Sequence, residues 1–408
     1  MTYGEAREKL KKYGQEHVLR YYDELSEAEK ESLLAQIEDT DFSILSMIDE
    51  AGAGAQRGSF APLAAMELSE IKEKKETFRQ AGETALKEGK VAALLLAGGM
   101  GTRLGSDAPK GTYDIGLTKP VYIFQRQIEN LLEVTKPLGT WPMLFIMTSE
   151  KNHEATVSFL KEHAYFGYRK DRIAFFEQDM APACDDNGKV YLEGKGRIAT
   201  SPNGNAGWYT SLIKAGLDEK IREEGIEWIN IFAVDNVLQR ILDPVFVGAT
   251  LLAQVSVGAK VVRKAAPDEK VGVMCLEDGR PSIVEYYELS QEMMDAKNEK
   301  GEPAYNFGVI LNYLFHLPEL DEILEKGTPL HVVRKKIQYL NEDGELVKPE
   351  KENGYKFEQL VLDLIHQLSS CLPYEVVREK EFAPIKNKTG IDSVESAREL
   401  CRKNGIEL

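Results

Sequence analysis

Seven consecutive apolar residues, Val91 to Ala97, run directly into Gly98-Gly99, and four glycines fall among the eight positions from Gly98 to Gly105. An apolar run of this length reads as a buried strand, and the glycines put backbone without side-chain bulk where something must approach closely. Arg103 and Lys110 flank the turn. Successive main-chain N–H groups, a planar guanidinium fork and an ammonium suit phosphate oxygens or the edge of a base. Two familiar phosphate loops do not fit. GxxxxGK[ST] is absent, and Gly99, Gly101 and Gly105 form GxGxxxG where a dinucleotide fingerprint needs GxGxxG.

From Val91 onward, short apolar runs alternate with helical stretches. Strands are expected at 91–97, 142–147, 172–177, 228–234 and 259–264, with helices at about 119–135, 151–163 and 207–222 between the first four. That alternation specifies a mostly parallel α/β sheet, whose ligands bind at the carboxyl ends of the strands. Upstream, residues 1–57 are polar and helical. The pattern Ser26-Glu-Ala-Glu29 is a capping box opening a segment with Leu33, Leu34 and Ile37 on one side. Gly52–Gly58 and Pro62 compose a flexible joint, and a helix from Ile71 to Lys87 presents Phe78, Ala81 and Ala85 and stops at Gly89. After residue 265, turns at Asp278-Gly279 and Asp343-Gly344 predict an antiparallel insertion. A helix near 356–370, an extended piece at 374–377 and a charged C-terminal helix follow. The expected division is an N-terminal helical lobe 1–90, a core 91–387 and a C-terminal segment 388–408.

With 408 residues, 43% of them hydrophobic, the chain can bury a large core. Its formal net charge of −16 opposes general binding to nucleic acid or to an anionic membrane. Cys184, Cys275, Cys371 and Cys401 share no CxxC spacing, so neither a zinc site nor a redox pair is indicated. No apolar run approaches the roughly 18 to 20 residues of a membrane helix, and the first residues lack an apolar signal core. A cytoplasmic location is expected.

Leu96-Ala-Gly-Gly-Met-Gly-Thr-Arg-Leu-Gly105, followed by Pro109-Lys-Gly-Thr-Tyr-Asp-Ile-Gly-Leu117, resembles the signature of the nucleotide sugar pyrophosphorylases. The resemblance is to the UDP-N-acetylglucosamine branch of the eukaryote-type UDP-sugar pyrophosphorylases. It implies a Rossmann-like, glycosyltransferase-A-type nucleotidyltransferase core that converts UTP and a sugar 1-phosphate into a UDP-sugar and diphosphate. It implies further that Leu96, Ala97, Gly98 and Gly99 hold the nucleoside while Arg103 and Lys110 hold the triphosphate.

Other stretches carry the same resemblance. Phe175-Phe-Glu-Gln178 resembles the family's Phe-Glu-Gln motif and makes Gln178 a uracil contact, an amide that both donates and accepts. Ala199-Thr-Ser-Pro-Asn-Gly-Asn-Ala-Gly-Trp-Tyr209 resembles Pro-Asp-Gly-Asn-Gly-Gly, which assigns Gly204 to the nucleotide and Asn205 to the sugar, with Asn203 in place of the family's Asp. Trp228–Val234 is a buried-looking strand ending in Asp235, a carboxylate that needs a cation or a metal; Mg²⁺ is the expected cofactor. Gly272 and Glu285 match the family's sugar-binding glycine and glutamate, and Asn306 matches the first Asn of an Asn-Ala-Gly-Asn motif whose second Asn, a sugar contact, is replaced by Val309. Glu381-Phe-Ala-Pro-Ile-Lys-Asn387 resembles Glu-Phe-Ser-Pro-Leu-Lys-Asn and brings Lys386 to the phosphates.

The chemistry fits these residue types. A sugar 1-phosphate ionises a second time at roughly pH 6 and needs no activated Ser, Cys or His nucleophile. Positioning two polyanions and stabilising the departing diphosphate is work for fixed cations and a metal. The expected partners are therefore UTP, sugar 1-phosphate, UDP-sugar and diphosphate. Family members continue into a C-terminal domain, whereas this sequence stops shortly after Lys386, so a monomer or weak homo-oligomer is expected. Two alternatives stay open: glucose 1-phosphate as the sugar substrate, which Val309 favours, and a non-catalytic UDP-sugar-binding protein.

Overall fold

The computed structural model describes residues 1–48, 57–326 and 330–408, so most of the Gly52–Gly58 joint lies outside the described residues. The chain forms two compact units, each assembled from separated stretches. The first comprises Met1–Arg57, Asp179–Gly207 and Thr328–Val361; the second comprises Gly58–Gln178, Trp208–Gly327 and Leu362–Leu408.

In the first unit, helices α1 (Tyr3–Lys12) and α2 (Glu27–Asp39) both begin at capping boxes, Thr2 with Glu5 and Ser26 with Glu29. Leu33 and Ile37 of α2 are buried, together with Leu10 and Phe42, against Ile198 and Phe357 from later stretches. The helix expected near 356–370 runs only from Val361 to Gln367, and Gly354–Glu358, which overlaps its expected start, is a strand paired antiparallel with His331–Lys335. The alternation of Tyr355 and Phe357 acts here through a partner strand that local periodicity does not reveal.

The second unit contains helix α3 (Leu68–Lys87) and a ten-stranded mixed sheet. Its strands are β1 (Phe60–Pro62), β2 (Val91–Leu96), β3 (Leu144–Thr148), β4 (Ile173–Glu177), β5 (Trp228–Ala233), β6 (Val257–Arg263), β7 (Val273–Glu277), β8 (Arg280–Val284), β9 (Phe307–His316) and β10 (Cys371–Glu375). The main order is β1-β7-β9-β5-β2-β3-β4, with β8 beside β7 and β6 between β9 and β10. β5, β2, β3 and β4 are mutually parallel, whereas β9 runs antiparallel to β5. Crossover helices α4 (Ile123–Leu138) and α5 (His153–Glu162) return the chain between the parallel strands. The expected single helix at 207–222 is two, Trp208–Lys214 and Leu217–Glu224, divided by Gly216 at φ +72°. Asp278 and Gly279 both take positive φ, the turn that joins β7 to β8.

The compact units do not follow the linear division 1–90, 91–387 and 388–408. Helix α3 is locked to α6 (Pro244–Ala253) by glycine-mediated backbone contact. A Cβ on Gly82 would fall 1.9 Å from the Pro244 carbonyl oxygen, and one on Gly248 would fall 1.7 Å from that of Phe78. The terminal helix α7 (Val394–Lys403) is held to the core where the Arg398 Nε donates to the Ile115 carbonyl at 2.9 Å.

Candidate active site

The carboxyl ends of β2 to β5 carry the site. Past Leu96 the loop folds back on itself: the Lys110 amide donates to the Gly99 carbonyl at 3.0 Å and the Gly101 amide to that of Ala108 at 2.9 Å. Asn152, fully buried at the head of α5, fastens the loop from beneath. Its Nδ2 donates to the carbonyls of Ala97 and Gly99 at 2.9 and 3.3 Å, while its Oδ1 accepts from the Ser149 amide. Sequence reasoning missed Asn152, because a helix-start Asn carries no local mark of a distant loop. Gly105 takes φ +77°, which closes the turn after Leu104.

Gln178, just past β4, is anchored by its main-chain N–H, which donates to the Thr148 carbonyl at 2.8 Å. A Cβ on Gly98 would lie 3.0 Å from both polar atoms of the Gln178 side chain, whereas one on Gly99 would meet nothing within 4 Å. Gly98 thus makes room for the amide, and the neighbouring Gly99 opens onto free space. The two residues expected at the uracil edge are side by side.

Asp235 follows β5, and its carbonyl accepts from the Ile385 amide at 2.9 Å. Asn236 completes the join. Its Oδ1 accepts from the Ala383 amide at 2.9 Å and its Nδ2 donates to the Glu381 carbonyl at 2.8 Å. Lys386 therefore arrives next to Asp235 from the far end of the chain, as the sequence motif required. Its Nζ meets the Asp392 carboxylate at 3.0 Å, and the Lys386 and Asn387 amides both donate to the Asp392 carbonyl. Asp392 sits at φ +51°, unusual for a residue with a side chain, and nothing in the sequence singled it out.

The charges act on one another. Burial pushes the Lys110 ammonium below the usual lysine range; Asp235 opposes that shift, and Arg103 and Lys386 reinforce it. Burial pushes the Asp235 carboxyl up, against the pull of Lys110 and Lys386. Arg103 is exposed and makes no hydrogen bond or ion pair among the described residues. Among the described residues no group of three or more His, Cys, Asp or Glu side chains is gathered to hold a metal. One carboxylate nonetheless fits Mg²⁺ where phosphate oxygens and water fill the remaining positions, since that ion is commonly held by one or two carboxylates plus substrate phosphates.

Gly272, Glu285 and Val309 form a cross-strand row. The register Val273 to Val284 places Gly272 opposite Glu285, and the Val309 amide donates to the Gly272 carbonyl at 2.9 Å. A Cβ on Gly272 would lie 3.4 Å from the Glu285 Oε1. Directly opposed residues of an antiparallel pair share a face, so the bare Gly272 is the floor between a carboxylate and an isopropyl group. Asn306 is buried just before β9, its carbonyl accepting from the Lys264 amide, beside a cavity of about 210 Å³.

Gly204 and Asn205 belong to the first unit. Gly204 takes φ +94°, and a Cβ there would fall 2.1 Å from the Gln359 carbonyl oxygen. The Asn205 Oδ1 accepts from the Val361 amide at 3.0 Å. Both residues are thus held by the 359–361 stretch, which the sequence reading did not connect with this loop.

An open sheet with a glycine loop at its carboxyl edge, three convergent cations and one half-buried carboxylate defines a Rossmann-like nucleotidyltransferase core. The chain belongs to the UTP–glucose-1-phosphate uridylyltransferase family, whose profile matches residues 55–404. UDP-N-acetylhexosamine pyrophosphorylase-like protein 1 of Mus musculus is 37% identical over 413 residues, 95% of this chain and 81% of that protein. UDP-N-acetylglucosamine diphosphorylase 2 of Arabidopsis thaliana is 38% identical over 425 residues, 96% of this chain and 82% of that one. Among solved structures, the UDP-N-acetylglucosamine pyrophosphorylase of Trypanosoma brucei in complex with an inhibitor superposes with a TM-score of 0.83 at 28% identity, covering 96% of this chain and 83% of its own.

Proposed function

We propose that this chain joins UTP to N-acetylglucosamine 1-phosphate, releasing diphosphate and UDP-N-acetylglucosamine. The observation that carries the reading is the meeting of Arg103, Lys110, Asp235 and Lys386 beside the open glycine floor, on a chain whose relatives include one named a UDP-N-acetylglucosamine diphosphorylase.

In this reading Gln178 reads the uracil edge through its amide and Gly99 leaves space for the nucleoside. Arg103 and Lys110 hold the β- and γ-phosphates and take up the charge of the departing diphosphate. Lys386 neutralises the two phosphates being joined, so that the sugar phosphate oxygen can attack the α-phosphorus in line. Asp235 would hold Mg²⁺, which when bound supplies further neutralisation of phosphate oxygens. Glu285 accepts from sugar hydroxyls through its carboxylate oxygens. No described helix is long and apolar enough to cross a membrane.

The test is a panel of sugar 1-phosphates incubated with UTP and Mg²⁺ and scored for UDP-sugar and diphosphate. Diphosphate release fastest with N-acetylglucosamine 1-phosphate supports the reading. Preference for glucose 1-phosphate replaces the sugar, and binding of UTP without any release removes the catalytic assignment.

A further inference from the structure

Lys260 of β6 is completely buried, yet it lies outside the site just described. Its Nζ donates to the Glu381 carboxylate at 2.6 Å and to the Arg240 carbonyl at 2.8 Å, with the Asp243 carboxylate 4.0 Å away and the Phe246 ring centre at 5.3 Å. The same Glu381 oxygen accepts from the Arg240 amide at 3.3 Å. A buried ion pair is weak evidence for stability, because apolar side chains of similar volume often serve the fold as well or better. Its place in the chain suggests another role.

Glu381 begins the stretch that ends in Lys386, and Arg240 closes the stretch that begins at Asp235. Between these ends the two stretches are sewn together. Asn236 binds the Glu381 carbonyl and the Ala383 amide, the Val237 amide donates to the Ala383 carbonyl at 3.3 Å, and the Ile385 amide donates to the Asp235 carbonyl. The main-chain bonds among these are alike from one position to the next, so the register rests on side chains, Asn236 being one. The buried Lys260 ammonium adds a second such tie, because a slip of one residue would part it from Glu381 inside the fold and leave it only the more distant Asp243 carboxylate.

We propose that the Lys260–Glu381 pair is a positioning device that fixes the register of residues 381–386 against 235–240, and so sets Lys386 relative to Asp235. Neither residue touches substrate; both act through Lys386. The inference rests on the proposed role of Lys386 in uridylyl transfer.

The experiment compares wild type with Glu381→Gln, Lys260→Met/Glu381→Leu, Lys386→Ala and Glu381→Gln/Lys386→Ala by melting temperature and steady-state kinetics. In a folded Glu381→Gln protein, kcat falls about tenfold while KM for UTP and for sugar phosphate changes less than about twofold, as expected of misplaced catalytic groups. In the Lys386→Ala background, Glu381→Gln slows the enzyme no further, the coupling expected when one residue acts through another. Wild-type kcat in a folded Glu381→Gln or double apolar variant overturns the proposal. So does a loss that multiplies with that of Lys386→Ala. If Glu381→Gln fails to fold, the double apolar variant takes its place; failure of both marks the pair as a folding element and also overturns the proposal. Absence of diphosphate release by wild type, or full activity of Lys386→Ala, instead overturns the functional reading on which the inference stands.

Discussion

The main-chain amide of Ile385 donates to the carbonyl of Asp235 at 2.9 Å. That one bond joins the end of a central parallel strand to a segment near the end of the chain, and it makes Asp235 and Lys386 neighbours through backbone. Backbone thus brings the stretch that carries Lys386 against the stretch that carries Asp235, and the Lys386 ammonium is held in turn by the Asp392 carboxylate at 3.0 Å.

Replacing Arg103, Lys110 or Asp235 by alanine should each lower turnover by roughly 10²- to 10³-fold, the usual loss for one charge contact to a developing anion. Circular dichroism should show the fold intact. Near-normal turnover in a folded Asp235→Ala protein would remove its assignment as the metal-holding carboxylate.

Gly98→Ala sets a methyl group about 3.0 Å from the Gln178 amide and displaces it. A hydrogen bond to uracil is made equally before and during reaction, so its loss should raise KM for UTP by roughly tenfold with kcat unchanged. An unaltered KM would mean that Gln178 does not read the base.

Val309→Asn adds a polar amide to the row that contains Gly272 and Glu285. The ratio of kcat/KM for N-acetylglucosamine 1-phosphate over glucose 1-phosphate should rise by about tenfold, the worth of one new hydrogen bond, with KM for UTP untouched. A constant ratio would place the sugar elsewhere.

Gly204→Ala meets both a left-handed backbone and the Gln359 main chain. Strain of this kind costs about 1–3 kcal/mol, so the variant should melt at a lower temperature. An unchanged melting temperature would show that the 359–361 contact yields.

His17 is half-buried, its Nε2 bonded to the Val190 carbonyl at 2.8 Å and its Nδ1 without a partner among the described residues. Burial holds the imidazole below its ordinary value. The unfolded chain therefore binds the extra proton more readily than the folded one, and stability present above the ordinary histidine range is lost as the pH falls through that window. His17→Gln should flatten the fall in melting temperature between neutral pH and about pH 5. An equally steep fall in the variant would assign it to other groups.

Features that act over a few residues were legible in the sequence. The Ser26–Glu29 capping box, the strand at 91–96 and the Asp278-Gly279 turn all lie where periodicity and turn chemistry put them. The gathering of Gln178 with Gly98, and of Asp235 with Lys386, followed only from a resemblance of motifs, since nothing local says which strand ends meet. Illegible were the residues whose work is wholly long-range. Asn152 under the glycine loop, Asn236 across the 381–385 segment and Asp392 against Lys386 are polar residues whose partners lie elsewhere in the fold. The strand at Gly354–Glu358 was missed because its partner, His331–Lys335, lies across the intervening turn rather than next to it, and local periodicity does not report such pairing.

The interleaving of the two units bears on how the chain is made. Helices α1 and α2 emerge early in synthesis, but the core they share includes Ile198 and Phe357, and the first unit's last stretch ends only at Val361. The second unit in turn waits for β10 at Cys371–Glu375 and for Lys386. A nascent chain must carry the apolar faces of α1 and α2 uncovered until the stretch ending at Val361 has left the ribosome, a period in which exposed surface of this kind invites association and chaperone engagement.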